Sequence, residues 1–319
     1  MVVKGRDETE VQLTPGGPIS FVPAVDVLNR RGEVSSTLGL LPALRPVASY
    51  LPDPFFTKGV SAVKNLTGIA VAAVAARIDA AEKGRETQHD RKDLLARLIQ
   101  GKDASGHNMG REEVTAEALT QLIAGSDTIS NTACAVFYWI LHGERAAPGT
   151  IISKLQNELD AAIPNSTDVA SYASVKHLPY LKQCIDEGMR LHSTSAIGLP
   201  RIVVGETGVA FDDAHFPPGT VLSVPSYTIH HLADIWGADV EEFKPNRWLS
   251  LTPRQKIAFN PFSYGPRACV GQNVAIMELQ IIIGTVFRRY NFALYQQKLK
   301  SHEGFSKKPK ECIVGIKKR

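Results

Sequence analysis

The chain has 319 residues, 44% hydrophobic and 21% charged, with a formal net charge of +4. This is globular composition, long enough to bury a large core. The mild basic excess contains no long Lys/Arg block, which speaks against nucleic acid as a partner. The four cysteines (Cys134, Cys184, Cys269, Cys312) lie far apart in sequence without a C-x-x-C, which argues for a reducing compartment and against a disulfide framework or zinc cluster. In such a compartment the sequons at Asn65 and Asn165 are coincidental.

Met1 to Val11 is charged and polar, with no signal peptide or anchor, and the chain to Pro23 reads as loop. Helices are predicted over 27–41, 60–82 and 89–99, with a proline break at Pro52 and Pro54 and a loop over 103–110. The longest helix is predicted over 113–142, where an uninterrupted run would extend about 45 Å. Its stretch Leu119 to Leu141 is the longest apolar one, yet Gln121, Asp127 and Asn131 mark a buried helix with a polar site rather than a membrane span. At its centre Ala124-Gly125-Ser126-Asp127-Thr128 puts a glycine, a carboxylate and a hydroxyl together. Gly costs about 1 kcal/mol there relative to Ala, and a threonine hydroxyl can bond back one turn and bend the helix.

Gly143 to Gly149 reads as an added surface loop. Helices follow over 151–163 and 174–193, then a β-like stretch over 201–216, a turn over 217–220, a strand over 221–224 and a short helix over 227–236. After an irregular segment over 239–248 come the Cys269 loop, a helix to about Tyr290 and a β-like end over 312–316. The class is mainly α with small β-sheets.

The most informative run is Phe262-Ser263-Tyr264-Gly265-Pro266-Arg267-Ala268-Cys269-Val270-Gly271. Gly265 and Pro266 set a tight turn, and Gly271 lets the backbone pass close to something flat. Arg267 supplies a permanent cation, and the helix that follows offers its positive end to a Cys269 thiolate. A single cysteine without neighbouring ligands can serve as the axial ligand of a haem. A buried structural cysteine is the plainer alternative. Upstream, Glu187 and Arg190 stand at i and i+3 on an apolar helix, where a buried pair needs a third partner. Arg247, in Pro245-Asn246-Arg247-Trp248, is the candidate.

F-x-x-G-x-R-x-C-x-G, E-x-x-R, P-x-R-W and A-G-x-D-T, at these positions, resemble the cytochrome P450 family. The resemblance implies a cytochrome P450 fold, haem b held by Cys269 within a loop defined by Phe262, Gly265, Arg267 and Gly271, and Arg201 and Arg267 on the haem propionates. It implies a structural ion triad of Glu187, Arg190 and Arg247, dioxygen space at Gly125 and proton delivery by Asp127 and Thr128. It also implies NADPH as electron source through a separate NADPH–cytochrome P450 reductase, since no nucleotide fingerprint is present, and an endoplasmic reticulum membrane setting with a cytosolic face. Tyr50 to Phe56, Leu119 to Thr128, His192 to Ala196 and Leu222 to His230 resemble the fungal branch that hydroxylates benzoate at the para carbon. Thr194 and Ser195 would then bond a carboxylate, and Ile197 would pack on the aromatic ring. Members of the family are longer at the N-terminus, so the chain is expected to be the C-terminal portion of one domain spanning 1–319. A haem-thiolate isomerase or dehydratase, and a remnant that no longer holds haem, are the competing readings.

Overall fold

A computed structural model of the chain describes residues 3–4, 10–11, 21–82, 93–102, 105–165 and 168–319. Within the polar N-terminal stretch expected as loop lie two short strands, β1 (Val3–Lys4) and β2 (Glu10–Val11). They pair with each other, and β1 also pairs with a strand from the far end of the chain, a partner that no local pattern announces.

Thr14–Asp127 forms one compact unit. It contains α1 (Phe21–Leu40), α2 (Pro54–Glu82), α3 (Leu94–Ile99) and the first half of α4 (Arg111–Ala146). Pro54 opens α2 rather than breaking the chain, because a first-turn proline forfeits no helical hydrogen bond. α2 buries Ala62, Leu66, Ala70 and Val74 at four-residue spacing, and Val34 of α1 sits where a side chain at Gly59 would stand. By length and mean hydropathy (1.5) Pro54–Ala80 is also long and apolar enough to cross a membrane. This differs from the expectation drawn from the sequence, of no membrane span at Met1 to Val11 or in the longest apolar stretch, Leu119 to Leu141. Asp93 caps α3 by accepting the Ala96 amide at 2.8 Å. His89 to Lys92, expected as its first turn, and Asp103 and Ala104 of the following loop lie outside the described residues.

Met1–Leu13 and Thr128–Arg319 form the second unit. α4 does not stop at His142 but continues through Gly143 to Ala146. A Cβ on Gly143 would press on Phe243 and Ile151 at 2.7 and 2.8 Å, so this glycine permits close packing and is no loop residue. A turn over 147–150, the later part of the expected loop, leads into α5 (Ile151–Ala162). Its first amides, Ile151 and Ile152, donate to the Glu144 carboxylate at 2.9 and 2.8 Å, a cap supplied from the preceding helix. The helix expected over 174–193 is two, α6 (Tyr172–Val175) and α7 (Pro179–Leu191). Pro179 cannot continue a helix from before it, and Glu158 accepts the Tyr180 and Leu181 amides at the new start.

Four short strands follow: β3 (Arg201–Ile202), β4 (Val209–Phe211), β5 (Ala214–Phe216) and β6 (Val221–Leu222), pairing β3 with β6 and β4 with β5, both antiparallel. The single helix expected over 227–236 divides into α8 (Ser226–His230) and α9 (Ala233–Trp236). A 3-10 turn spans Pro245–Leu249, and α10 (Pro253–Ala258) carries a Thr252/Gln255 capping box. α11 (Gln272–Arg289) runs straight into β7 (Tyr290–Leu294), then come β8 (Ser301–Glu303), β9 (Lys307–Pro309) and β10 (Val314–Lys318). β8 pairs with β9, and the larger sheet has the order β2-β1-β10-β7, parallel only between β1 and β10. The core of this unit is built from Val136 and Ile140 of α4, Leu155 and Leu159 of α5, Leu181 and Ile185 of α7, and Leu279, Ile283 and Phe287 of α11. Two cysteines distant in sequence meet beside it: the Cys134 and Cys312 thiols are hydrogen-bonded, which lowers the pKa of Cys134 and raises that of Cys312.

Candidate functional site

The Cys269 loop is fastened at several points. The Cys269 amide donates to Phe262 O at 2.9 Å, the Ser263 amide to Asn260 O at 3.1 Å and the Ala268 amide to Gly265 O at 3.0 Å. The Tyr264 hydroxyl reaches the carbonyls of Lys256, Ile257 and Phe259 at 2.8–3.2 Å. Gly265 has φ +74°, a left-handed conformation that glycine adopts without strain. Phe262 is half-buried against the core. Gly271 is the N-cap of α11, two residues beyond Cys269, so the sulfur lies at the positive end of an 18-residue helix.

Glu187 and Arg190 are wholly buried, each at 0% exposure. Arg190 donates to both Glu187 oxygens, Nη2 to Oε1 at 2.9 Å and Nε to Oε2 at 3.0 Å. Arg247 Nε reaches Glu187 Oε1 at 3.3 Å, the Lys244 amide donates to Oε1 at 3.1 Å and the Trp248 indole to Oε2 at 3.0 Å. These donors fill a carboxylate that has about four lone-pair positions. The two guanidiniums have further acceptors: Arg190 has His230 O at 2.9 Å, and Arg247 has Trp236 O at 2.7 Å and both the carbonyl and the carboxylate of Asp239 at 3.0 Å. Lys244 first, then Arg247, holds the Asp239 carboxyl down to about 2. Trp248, Asp239 and the Lys244 amide were missed in the sequence; only Trp248 lies inside a quoted motif.

α4 runs helical without interruption through Ala124-Gly125-Ser126-Asp127-Thr128, so the glycine does not open it. A Cβ on Gly125 would meet nothing within 4 Å. The Ser126 hydroxyl bonds back one turn, to Leu122 O at 2.5 Å. Asp127 is half-buried and Thr128 exposed.

One turn beyond Thr128, Thr132 meets Thr194, oxygen to oxygen at 2.7 Å. The Thr194 carbonyl accepts the Lys307 amide at 2.9 Å. Ser195 is exposed, and Ile197 is exposed at 59%. Gly198 (φ +70°) closes this loop against Val224 O, where any Cβ would collide. Arg201 is exposed and its Nη1 donates locally to Pro200 O at 3.0 Å, so the reach expected of it is directed to its own turn.

The residues present fit a haem. The Cys269 thiol is exposed. Its neighbour Val270 is exposed at 100%, an aliphatic side chain that a flat apolar group beside the sulfur would cover. A Cβ at Gly271 would meet only Cys269 Sγ, at 3.9 Å, so the backbone leaves an open side next to the sulfur. Arg201 and Arg267 present exposed guanidiniums suited to carboxylates.

The cytochrome P450 family profile matches residues 13–316. Benzoate 4-monooxygenase bphA of Aspergillus niger is 55% identical over 323 aligned positions, covering 100% of this chain and 61% of that protein. Cytochrome P450 monooxygenase ORF9 of Penicillium roqueforti is 34% identical over 218 positions, covering 68% of this chain and 40% of that protein. The chain thus spans under two thirds of the length of these relatives. A crystal structure of a cytochrome P450 (CYP102L1) superposes with a TM-score of 0.70 at 21% identity, over 85% of this chain and 59% of that one, which bears on the fold. With the profile match and the Aspergillus niger relative together, the chain belongs to the cytochrome P450 family.

Proposed function

We propose that the chain is the haem-thiolate part of a monooxygenase that inserts one atom of O2 into an aromatic carboxylic acid, with para-hydroxylation of benzoate as the specific reaction. The observation that carries this reading is the Cys269 loop: an exposed thiol at the start of α11, in a turn held by Tyr264. The 55% identity to a benzoate 4-monooxygenase supports the substrate.

Haem, when bound, would supply the activation of dioxygen. The chain's own residues do the rest. Cys269 would hold the haem iron, and Arg201 and Arg267 would pair with the propionates once Arg201 leaves its local carbonyl. Gly125 keeps a clear space on α4, and Asp127 and Thr128 hold and pass protons. Thr194 and Ser195 bind the carboxylate and Ile197 packs on the ring. Glu187, Arg190 and Arg247 act structurally, fixing α7 to the segment before the Cys269 loop. Residues 1–319 serve as a single cytochrome P450 domain, with electrons from NADPH through NADPH–cytochrome P450 reductase at the cytosolic face of the endoplasmic reticulum. The carboxylate and hydroxyl retained at Asp127 and Thr128 favour oxygen activation over isomerisation.

Haem-reconstituted chain supplied with reductase, NADPH and benzoate tests this. 4-Hydroxybenzoate formed at the expense of NADPH supports it; haem uptake with no oxygenated product from any aromatic acid refutes it.

A further inference from the structure

His230 closes α8 with its side chain at 0% exposure, its ring 5.5 Å from that of Phe259. Nε2 accepts the Asn260 amide at 3.0 Å, and Nδ1 lies 2.7 Å from Ser193 Oγ. An amide can only donate, so Nε2 carries no proton. The proton of the neutral ring then sits on Nδ1 and is donated to Ser193. Protonating the ring would set an N–H against the Asn260 N–H in a buried site. Burial first, then Arg190 and His231, pushes the His230 pKa down to about 3.

Each of its partners begins a functional segment. Asn260 is the root of the Cys269 loop: its carbonyl takes the Ser263 amide, and two residues on, Phe262 O takes the Cys269 amide. Ser193 opens the 193–198 loop, one residue before Thr194. The backbone of His230 is itself fixed, because its carbonyl accepts Arg190 of the buried ion cluster.

We propose that His230 is a positioning residue that sets the Cys269 loop and the 193–198 loop at a fixed separation through one rigid, neutral imidazole. Haem and substrate are thereby held in register by a residue that touches neither. The proposal rests on the haem reading of Cys269, and a two-atom splint of this kind is something neither the ion cluster nor Ser193 alone provides. Imidazole is suited to it because one planar ring offers a donor and an acceptor in fixed directions.

The test has one arm without haem and one with it. In the unsubstituted chain, nitrogen-15 shifts of the His230 ring at pH 7 should show the Nδ1–H tautomer with Nε2 as acceptor. A charged ring or the opposite tautomer overturns the proposal. Exchange of the Asn260 amide should be protected, and about tenfold faster in His230→Phe. Unchanged exchange in that variant also overturns it. After haem reconstitution, His230→Phe should lose haem to apomyoglobin about tenfold faster and show a reduced thiolate-type fraction in its carbon monoxide spectrum. His230→Gln, whose amide oxygen can still accept from Asn260, should recover most of both. Equal haem loss in the unsubstituted and His230→Phe proteins refutes the role. Should the unsubstituted chain take up no haem as a thiolate, the haem reading fails, and the tautomer and amide exchange still decide whether His230 holds the loop.

Discussion

Thr132 Oγ1 and Thr194 Oγ1 lie 2.7 Å apart and join α4 to the loop that follows α7. One hydroxyl gives its proton to the other, which leaves a single O–H to offer outward. A carboxylate is the ligand best served by such a donor. Thr194→Val should weaken benzoate binding about tenfold, and Thr132→Val about threefold, since Thr194 then keeps its hydroxyl but loses its orientation. Spectral titration with benzoate measures both. Unchanged affinity in Thr194→Val would remove Thr194 from the substrate assignment.

Removing Glu187 leaves the buried Arg190 guanidinium and that of Arg247 without their shared carboxylate. Glu187→Ala should cost about 3–5 kcal/mol, as expected when one partner of a buried ion pair is deleted. Arg247→Ala should cost less, about 2 kcal/mol, because Glu187 keeps both Arg190 bonds, the Lys244 amide and the Trp248 indole. Urea denaturation of the two variants gives the order; equal costs would mean that Arg247 and Glu187 form the essential bond.

Two helical glycines should respond in opposite ways. A Cβ at Gly188 would sit 2.7 Å from Val136 Cγ2 and 2.9 Å from Val136 Cα, so Gly188→Ala must push α7 off α4. That should cost about 1–3 kcal/mol. At Gly125 nothing lies within 4 Å, so Gly125→Ala should stabilise α4 by up to about 1 kcal/mol. If Gly125 keeps room for dioxygen, the same variant should turn over less product per NADPH consumed. A loss of stability in Gly125→Ala would show that the site is not open.

Much of the functional region is legible in the sequence because its chemistry is local. The Cys269 turn, the Glu187/Arg190 spacing and the Arg247 segment are each held within a few residues. What the sequence leaves out depends on distant pairing. The β1/β2 hairpin joins the larger sheet only through β10, Asp239 enters the ion cluster through a fold of the intervening chain, and His230 gains its role from Ser193 and Asn260. Boundaries were misread where capping comes from another element. Glu144 and Glu158 start α5 and α7 from outside, while the local residues alone suggest a loop at 143–149 and one continuous helix over 174–193.

The buried histidines make the fold sensitive to acid. Burial pushes His192 down to about 4 and His230 to about 3, against 6.5 when unfolded. Between those values the unfolded chain binds protons that the folded chain refuses. Stability that is complete above pH 6.5 is therefore lost as pH falls toward 4 and 3. Asp239, held down to about 2, adds to the loss below pH 4. Urea midpoints should fall steadily from pH 7 to pH 4.5, and His192→Gln should flatten the slope. A midpoint that does not move over that range would contradict the burial of both rings.

Cys269 is the exposed cysteine, while Cys184 and Cys312 are buried and Cys134 is half-buried. Without haem, an alkylating reagent should therefore modify Cys269 first. Bound haem should protect it. Preferential labelling of Cys134, with Cys269 unreactive before haem is added, would place the accessible thiol elsewhere.

The central claim is that Cys269 ligates haem iron as a thiolate. The absorption spectrum of the haem-reconstituted chain, reduced and saturated with carbon monoxide, tests it most directly. The account predicts the red-shifted Soret band of a thiolate ligand, lost in Cys269→Ala. An unshifted band, or a shifted band that persists in Cys269→Ala, would contradict it.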